Sequence, residues 1–112
     1  YAAVFSNQSQ LAHEVQAHSV TERDLVWPLP LHRPYNGMLS STIADCQNCS
    51  TTGEAGTITA ALFLDKFVAQ ETAWLHFDIP GMHEHALEGH KKGGDIEGVR
   101  AVAACLKKKL DI

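Results

Sequence analysis

Apolar residues return at helical spacing soon after the start of the chain. Leu11, Val15 and His18 fall on one face with Ala12 beside them, and the polar run from Ser19 to Asp24 ends that helix. Asn7 is placed to cap it, its side chain accepting an orphan N–H while Gln10 reaches back. The opening Tyr1-Ala-Ala-Val-Phe5 has the pattern of the tail of a strand. Val26 to Leu31 is also apolar, but Pro28 and Pro30 remove ladder donors and hold the backbone extended, which predicts a short edge strand or a polyproline-like connector. His32 to Ser41 contains Pro34, Asn36 and Gly37 and predicts a turn.

The second half alternates in the same way. Thr42 to Asn48 reads as a short strand, and Cys49 to Glu54 as a Ser/Thr/Gly loop. Gly56 to Ala69 is apolar on almost every side, with Asp65 and Lys66 its main charged break, so it predicts a helix covered by protein on most faces. In Ala73 to Ile79 the set Ala73, Leu75, Phe77, Ile79 alternates with Trp74, His76, Asp78, and both sets can be buried, as in an interior strand between helical layers. Pro80 and Gly81 stop it. Met82 to Gly94 has charge and glycine without a period and reads as a long loop. A last helix is expected from Asp95, its N-cap, with Ile96, Val99, Val102, Ala103, Leu106 and Leu110 in one stripe and Lys107 to Lys109 at its negative end. Strands and helices in alternation predict an α/β fold, with residues 1–112 as one segment and no second domain.

Composition adds mainly exclusions. With nine basic and thirteen acidic residues, and all six lysines after Phe63 without a long stripe, there is no electrostatic footprint for nucleic acid. No apolar run nears the ~20 residues that cross a bilayer, and the start lacks the charged region of a signal peptide. Three cysteines are an odd set, better matched to a reducing compartment than to a disulfide framework, so a soluble cytoplasmic protein is expected. A first residue that is not Met is expected of a cut fragment or a processed product.

Four groups of residues have chemistry-bearing side chains. Cys46 and Cys49 have the spacing of a zinc half-site or a redox pair, but there is no second pair and no helix start at Cys46 to activate it. His83, Glu84, His85, Glu88 and His90 are ligand types for a divalent ion, yet the two closest histidines are not four apart on a helix, and a solvated loop is the expected reading. His76 and Asp78 stand two apart on one face of a strand, as a base and its orienting carboxylate would, but no nucleophile partners them. Their expected role is to satisfy backbone groups in adjoining loops. Gly53 to Thr57 could hold an anion at a helix start, although Glu54 opposes it, and close helix packing suffices to explain the glycines.

Ala44, Asp45 and Asn48, the run Gly56 to Phe67, and His76-Phe-Asp-Ile-Pro-Gly81 carry a resemblance to the leucyl aminopeptidase family of two-metal cytosol aminopeptidases, extending from about Phe5 to Leu110. The chain resembles the C-terminal segment of that catalytic domain. The family's Asn-Thr-Asp-Ala-Glu-Gly-Arg signature does not occur here. The resemblance implies part of a mixed β-sheet flanked by helices, in a parent that removes N-terminal amino acids from peptides with two divalent ions, zinc, manganese or magnesium. Their lysine, aspartate and glutamate ligands would lie outside this chain, so no catalytic residue and no metal ligand is expected within it. It also implies that Cys49 lines the pocket for the second substrate residue, that Pro80 and His83 line the pocket for the N-terminal side chain, and that the parent is a homo-hexamer. His83 departs from the apolar residue common there and points to polar or acidic side chains. Gly94-Asp-Ile-Glu97 departs from the family's Gly-x-Thr-Gly, and Gly98-Val-Arg100 is shared with peptidase B-like members. The rivals are a non-catalytic fragment or relative retained for assembly, and a small zinc protein using Cys46, Cys49 and His83.

Overall fold

The computed structural model describes residues 1–112. Strand β1 (Ala2–Ser6) is the middle of a three-stranded sheet, between β2 (Val26–Pro28) and β3 (Leu75–Asp78). β2 is parallel to β1, with Ala2 beside Val26 and Val4 beside Pro28. Its outer place suits a proline, which has no N–H to give to a further neighbour. β3 is antiparallel, with Val4 opposite Phe77 and Phe5 opposite His76. In this chain β3 is therefore an outer strand too, half-buried along its length, where alternation predicted an interior one. Apolar character on both faces records what a strand touches above and below, and is silent about its edge.

Two helices, α1 (Ser9–Thr21) and α3 (Val99–Leu110), cover one face of this sheet. Ala2, Val4, Val15, Val26, Ala101 and Cys105 form the buried core, with Leu75, Phe77, Ile79 and Val102 packed against it. On α1 the inward face is Ala12, Val15 and Ser19, while Leu11 and His18 lie beside it, half-buried. The polar Ser19 can be buried because its hydroxyl donates to the Gln16 carbonyl (2.7 Å) and accepts the Val26 N–H (3.3 Å).

Asn7 does not cap α1. Its amide donates to the Thr72 carbonyl (2.8 Å) and its Oδ1 accepts the Trp74 N–H (3.2 Å), fastening the β1–α1 turn to the approach of β3. The Ser6 hydroxyl takes the local work by accepting the Gln8 N–H (3.0 Å), and Gln10 reaches forward to Glu14 instead of back. α3 begins three residues later than expected, after Gly98. Its inward face is Ala101 and Cys105, with Val102 beside them. Much of the predicted stripe faces outward, with Ile96 62% and Leu106 50% exposed.

Thr42 to Asn48 forms bends and no strand. The Ser41 hydroxyl accepts the N–H groups of Ile43 and Ala44, a local serine turn that competes with extension, and Ile43 is 96% exposed. The predicted turn 32–41 contains a 3₁₀ helix, Arg33–Leu39, with Pro34 in its first turn. Helix α2 (Gly56–Asp65) is shorter than predicted. Thr59, Ala61 and Leu62 are buried, but Leu64 and Phe67 beyond it are exposed, so it is covered on one side only. An Arg33–Asp65 ion pair joins it to the 3₁₀ helix. The chain as a whole measures 46 × 37 × 17 Å, a flat α/β slab.

Candidate functional site

Between β3 and α3 the chain folds into a small antiparallel ribbon. β4 (Met82–His83) pairs with β5 (Gly93–Gly94), and the Asp95 N–H continues the ladder to the Gly81 carbonyl (3.1 Å). Further out, Leu87 and His90 exchange backbone hydrogen bonds across Glu88-Gly89, where Gly89 has φ 82, a value that favours glycine. These two reversals bring His90 back beside His83.

The Asp95 carboxylate joins them. Its Oδ2 accepts from Nε2 of His83 at 2.9 Å and from Nδ1 of His90 at 2.5 Å, so each of those nitrogens carries a proton in this arrangement. Oδ1 accepts the Ile96 N–H (2.8 Å), so the carboxylate is held from behind. Hydrogen bonds from His90 first and His83 second hold the Asp95 carboxyl below the usual carboxylate range. The imidazole planes lie with centroids 4.9 Å apart. Glu97 adds a second carboxylate, its Oε1 3.9 Å from His83 Nε2 and its Oε2 buried without a partner. His83, His90 and Glu97 also line a cavity of about 510 Å³.

The loop reading of Met82 to Gly94 is thus half right. Glu84, His85 and Glu88 are exposed, but His83 and His90 are half-buried and ordered by one shared acceptor. Asp95, expected to cap α3, serves this cluster, and Asp24 caps the helix in its place: its buried carboxylate accepts the N–H groups of Gly98 (2.8 Å), Arg100 (2.7 Å) and Ala101 (3.3 Å).

Of the pocket residues named from sequence, His83 lies in this cluster, while Pro80 and Cys49 are exposed and do not line its cavity. Cys46 and Cys49 are free thiols, and the three ligand-type side chains gathered together are His83, His90 and Asp95, with no cysteine among them. His76 stacks on Phe5 with centroids 6.0 Å apart, and its Nε2 is buried without a partner, so it does not bond adjoining backbone as expected. Gly53 and Gly56 have open space where a Cβ would stand, so close packing does not account for them here. Gly53 is required by its φ of 70.

Buried polar atoms are ordinarily satisfied, and here Trp74 Nε1, His76 Nε2 and Glu97 Oε2 are not.

Residues 1–103 match the model of the catalytic domain of the cytosol aminopeptidase family. The chain belongs to this family. Relatives include the probable cytosol aminopeptidase of Chlorobium phaeobacteroides, 39% identical over 108 residues that are 96% of this chain and 21% of that protein. That of Rhizobium rhizogenes is 46% identical over 81 residues, 71% of this chain and 16% of the relative. Among solved structures, the cytosol aminopeptidase of Coxiella burnetii superposes with a TM-score of 0.90 at 41% identity, over 96% of this chain and 24% of that one. The bottromycin maturation enzyme BotP, in complex with Mn, does so with a TM-score of 0.86 at 34% identity over 96% and 24%. The chain thus spans about a fifth of the length of the curated relatives it matches.

The ligand-type side chains gathered here are two imidazoles and one carboxylate. Sequence reasoning missed Asp24, Glu97 and the joining role of Asp95. For Asp24 the one signal was an acidic residue in a polar run ahead of an apolar strand, and nothing local ties it to Gly98.

Proposed function

We propose that this chain is the C-terminal part of the catalytic domain of a metal-dependent leucyl aminopeptidase-like enzyme that removes N-terminal amino acids from peptides. The observation that carries this reading is the family match over residues 1–103, in a chain that covers about a fifth of its relatives. The segment supplies scaffold and pocket wall. Its sheet and two helices continue into the rest of the catalytic domain, which covers the open faces of α2 and α3. Two divalent ions, manganese, zinc or magnesium, activate the water and polarise the peptide carbonyl, on ligands from outside residues 1–112. The Mn in the BotP complex supports a metal-dependent reading.

Cys49 lines the pocket for the second substrate residue, and Pro80 and His83 the pocket for the N-terminal side chain. His83, joined to Asp95, presents polar atoms where an apolar wall would select leucine, so polar or acidic N-terminal residues are favoured. The enzyme works as a homo-hexamer in the cytoplasm. The name of the relatives supports that location, and no helix here is long and apolar enough to cross a membrane.

The test is cleavage of aminoacyl substrates by the protein at its natural length with added manganese, beside the 112-residue chain. Cleavage by the first and none by the second is expected, and His83→Met is expected to shift preference towards leucine. A natural-length protein inert on every peptide would overturn the reading in favour of a structural or assembly role, as would a 112-residue chain active by itself.

A further inference from the structure

We propose that His83, His90 and Asp95, with Glu97 beside them, form a binding site for one zinc-class divalent cation, separate from the dinuclear pair and held wholly by this segment. This departs from the expectation, drawn from the sequence, that the segment carries no metal ligand. It depends on the geometry of this cluster and not on the aminopeptidase reading.

Ligand atoms of His83, His90 and Asp95 lie within 4.8 Å of one another. A tetrahedral zinc ion with bonds of ~2.0–2.1 Å places its ligand atoms about 3.3 Å apart. The Asp95 Oδ2 distances of 2.9 and 2.5 Å need to open by less than ~1 Å to reach that spacing. Binding the ion requires His83 Nε2 and His90 Nδ1 to give up the protons they donate to Asp95, because a ligating imidazole nitrogen is unprotonated.

Glu97 is the second observation. Its Oε1 is 3.9 Å from His83 Nε2, and its Oε2 is buried with no donor in reach. A buried carboxylate without a countercharge is costly, and a cation held by the two imidazoles and Asp95 supplies one beside Glu97. Two imidazoles with carboxylate oxygens suit zinc better than calcium or magnesium, which prefer all-oxygen sets. The Ile96 N–H on Asp95 Oδ1 is the kind of outer contact that orients a ligating carboxylate. The ligands come from β4, from the Leu87–His90 reversal and from the entry to α3, so the ion fastens the ribbon to the helix.

Zinc content and zinc titration of the natural-length protein, after dialysis against a weak chelator, test this against His90→Ala and Asp95→Asn. His85→Ala, an exposed neighbour, is the control. Expected is one zinc per chain in the parent and control beyond any held elsewhere, absent or bound at least ~10–100-fold more weakly in both variants, the range set by loss of an outer-shell partner. Cobalt substitution should give the absorption of a tetrahedral centre that disappears in the same two variants. Equal zinc stoichiometry and affinity in parent and both variants, with near-UV circular dichroism showing them folded, would overturn the site. Should Asp95→Asn fail to fold, His90→Gln takes its place. A protein that cleaves peptides but lacks the extra zinc sinks this inference alone, and one that binds it but cleaves nothing sinks only the aminopeptidase reading.

Discussion

Asp24 is only 4% exposed, and its carboxylate accepts the backbone N–H of Gly98 at 2.8 Å, closing the first turn of α3 from the far end of the α1–β2 connection. The same carboxylate takes the N–H groups of Arg100 and Ala101, so a full negative charge sits where a helix leaves donors unpaired and its dipole is positive. Arg100 returns the contact by donating to the Arg23 carbonyl (3.1 Å). Replacing Asp24 with Ala is expected to cost about 1.5–3 kcal/mol, the range for hydrogen bonds to a charged group. Asp24→Asn should cost less, because one acceptor oxygen survives. Hydrogen exchange of the Gly98, Arg100 and Ala101 amides is the direct check: protection should fall there first and leave α1 little changed.

Gly98 is fixed on two counts. Its φ is 88, and a Cβ would stand 3.0 Å from the Phe77 ring and 3.3 Å from Val26. Gly98→Ala should destabilise by about 1–3 kcal/mol, the cost of a non-glycine residue held in this backbone region. Urea unfolding measures it, and Gly37→Ala, where φ is ordinary and space is open, should change stability far less.

Lys109 meets Glu14 at 2.5 Å and ties the end of α3 to α1. The hydrogen bond from Lys109 holds the Glu14 carboxyl below its ordinary 4.5, and the hydrogen bond to Glu14 raises Lys109 above its ordinary 10.5. Stability from Glu14 is present above pH 4.5 and is lost as pH falls through its lower folded value. Stability from Lys109 is present below pH 10.5 and is lost as pH rises through its higher folded value. The difference in melting temperature between the protein and Glu14→Gln should therefore be flat between those limits and vanish outside them. It should also be small and shrink with salt, because both groups are exposed.

The outward face of α3 gives a test of the segment reading. Leu106 is half exposed in this chain and borders an apolar cleft of about 480 Å³ with Phe77, Val99 and Val102. Leu106→Glu should leave the secondary structure of the 112-residue chain unchanged and improve its solubility. In the natural-length protein the same change should cost stability, by about 2–5 kcal/mol if the position is fully buried there. Comparing melting curves at the two lengths decides it, and an equally mild effect in both would mean that nothing covers this face.

The α/β class, the edge character of Val26 to Pro28 and the presence of all three α-helices could be read from periodicity and proline placement. Each is a local property. The Thr42 to Asn48 strand failed because the Ser41 hydroxyl bends the backbone, a competition that β propensity does not record. The stripe on α3 was legible from its spacing, but not which way it faces: Ala101 and Cys105 belong to the buried core, while Ile96, Leu106 and Leu110 are exposed. Within the candidate site, His83 and His90 were visible as ligand types. Their meeting at Asp95 depends on two chain reversals, and the pairing of Asp24 with the start of α3 on packing across the domain. Neither leaves a spacing in the sequence.

Because β1 lies between its two partners, synthesis meets the sheet in an awkward order. Of these three strands Ala2–Ser6 leaves the ribosome before its parallel neighbour, and residues 75–78 emerge only after the whole of α2. Until then one side of the nascent strand keeps its N–H and C=O groups unpaired beside Val4 and Phe5, an open invitation to a second polypeptide. Crowded translation should punish this stretch more than its final depth in the molecule suggests, and a chaperone that shields it needs to wait only for β3.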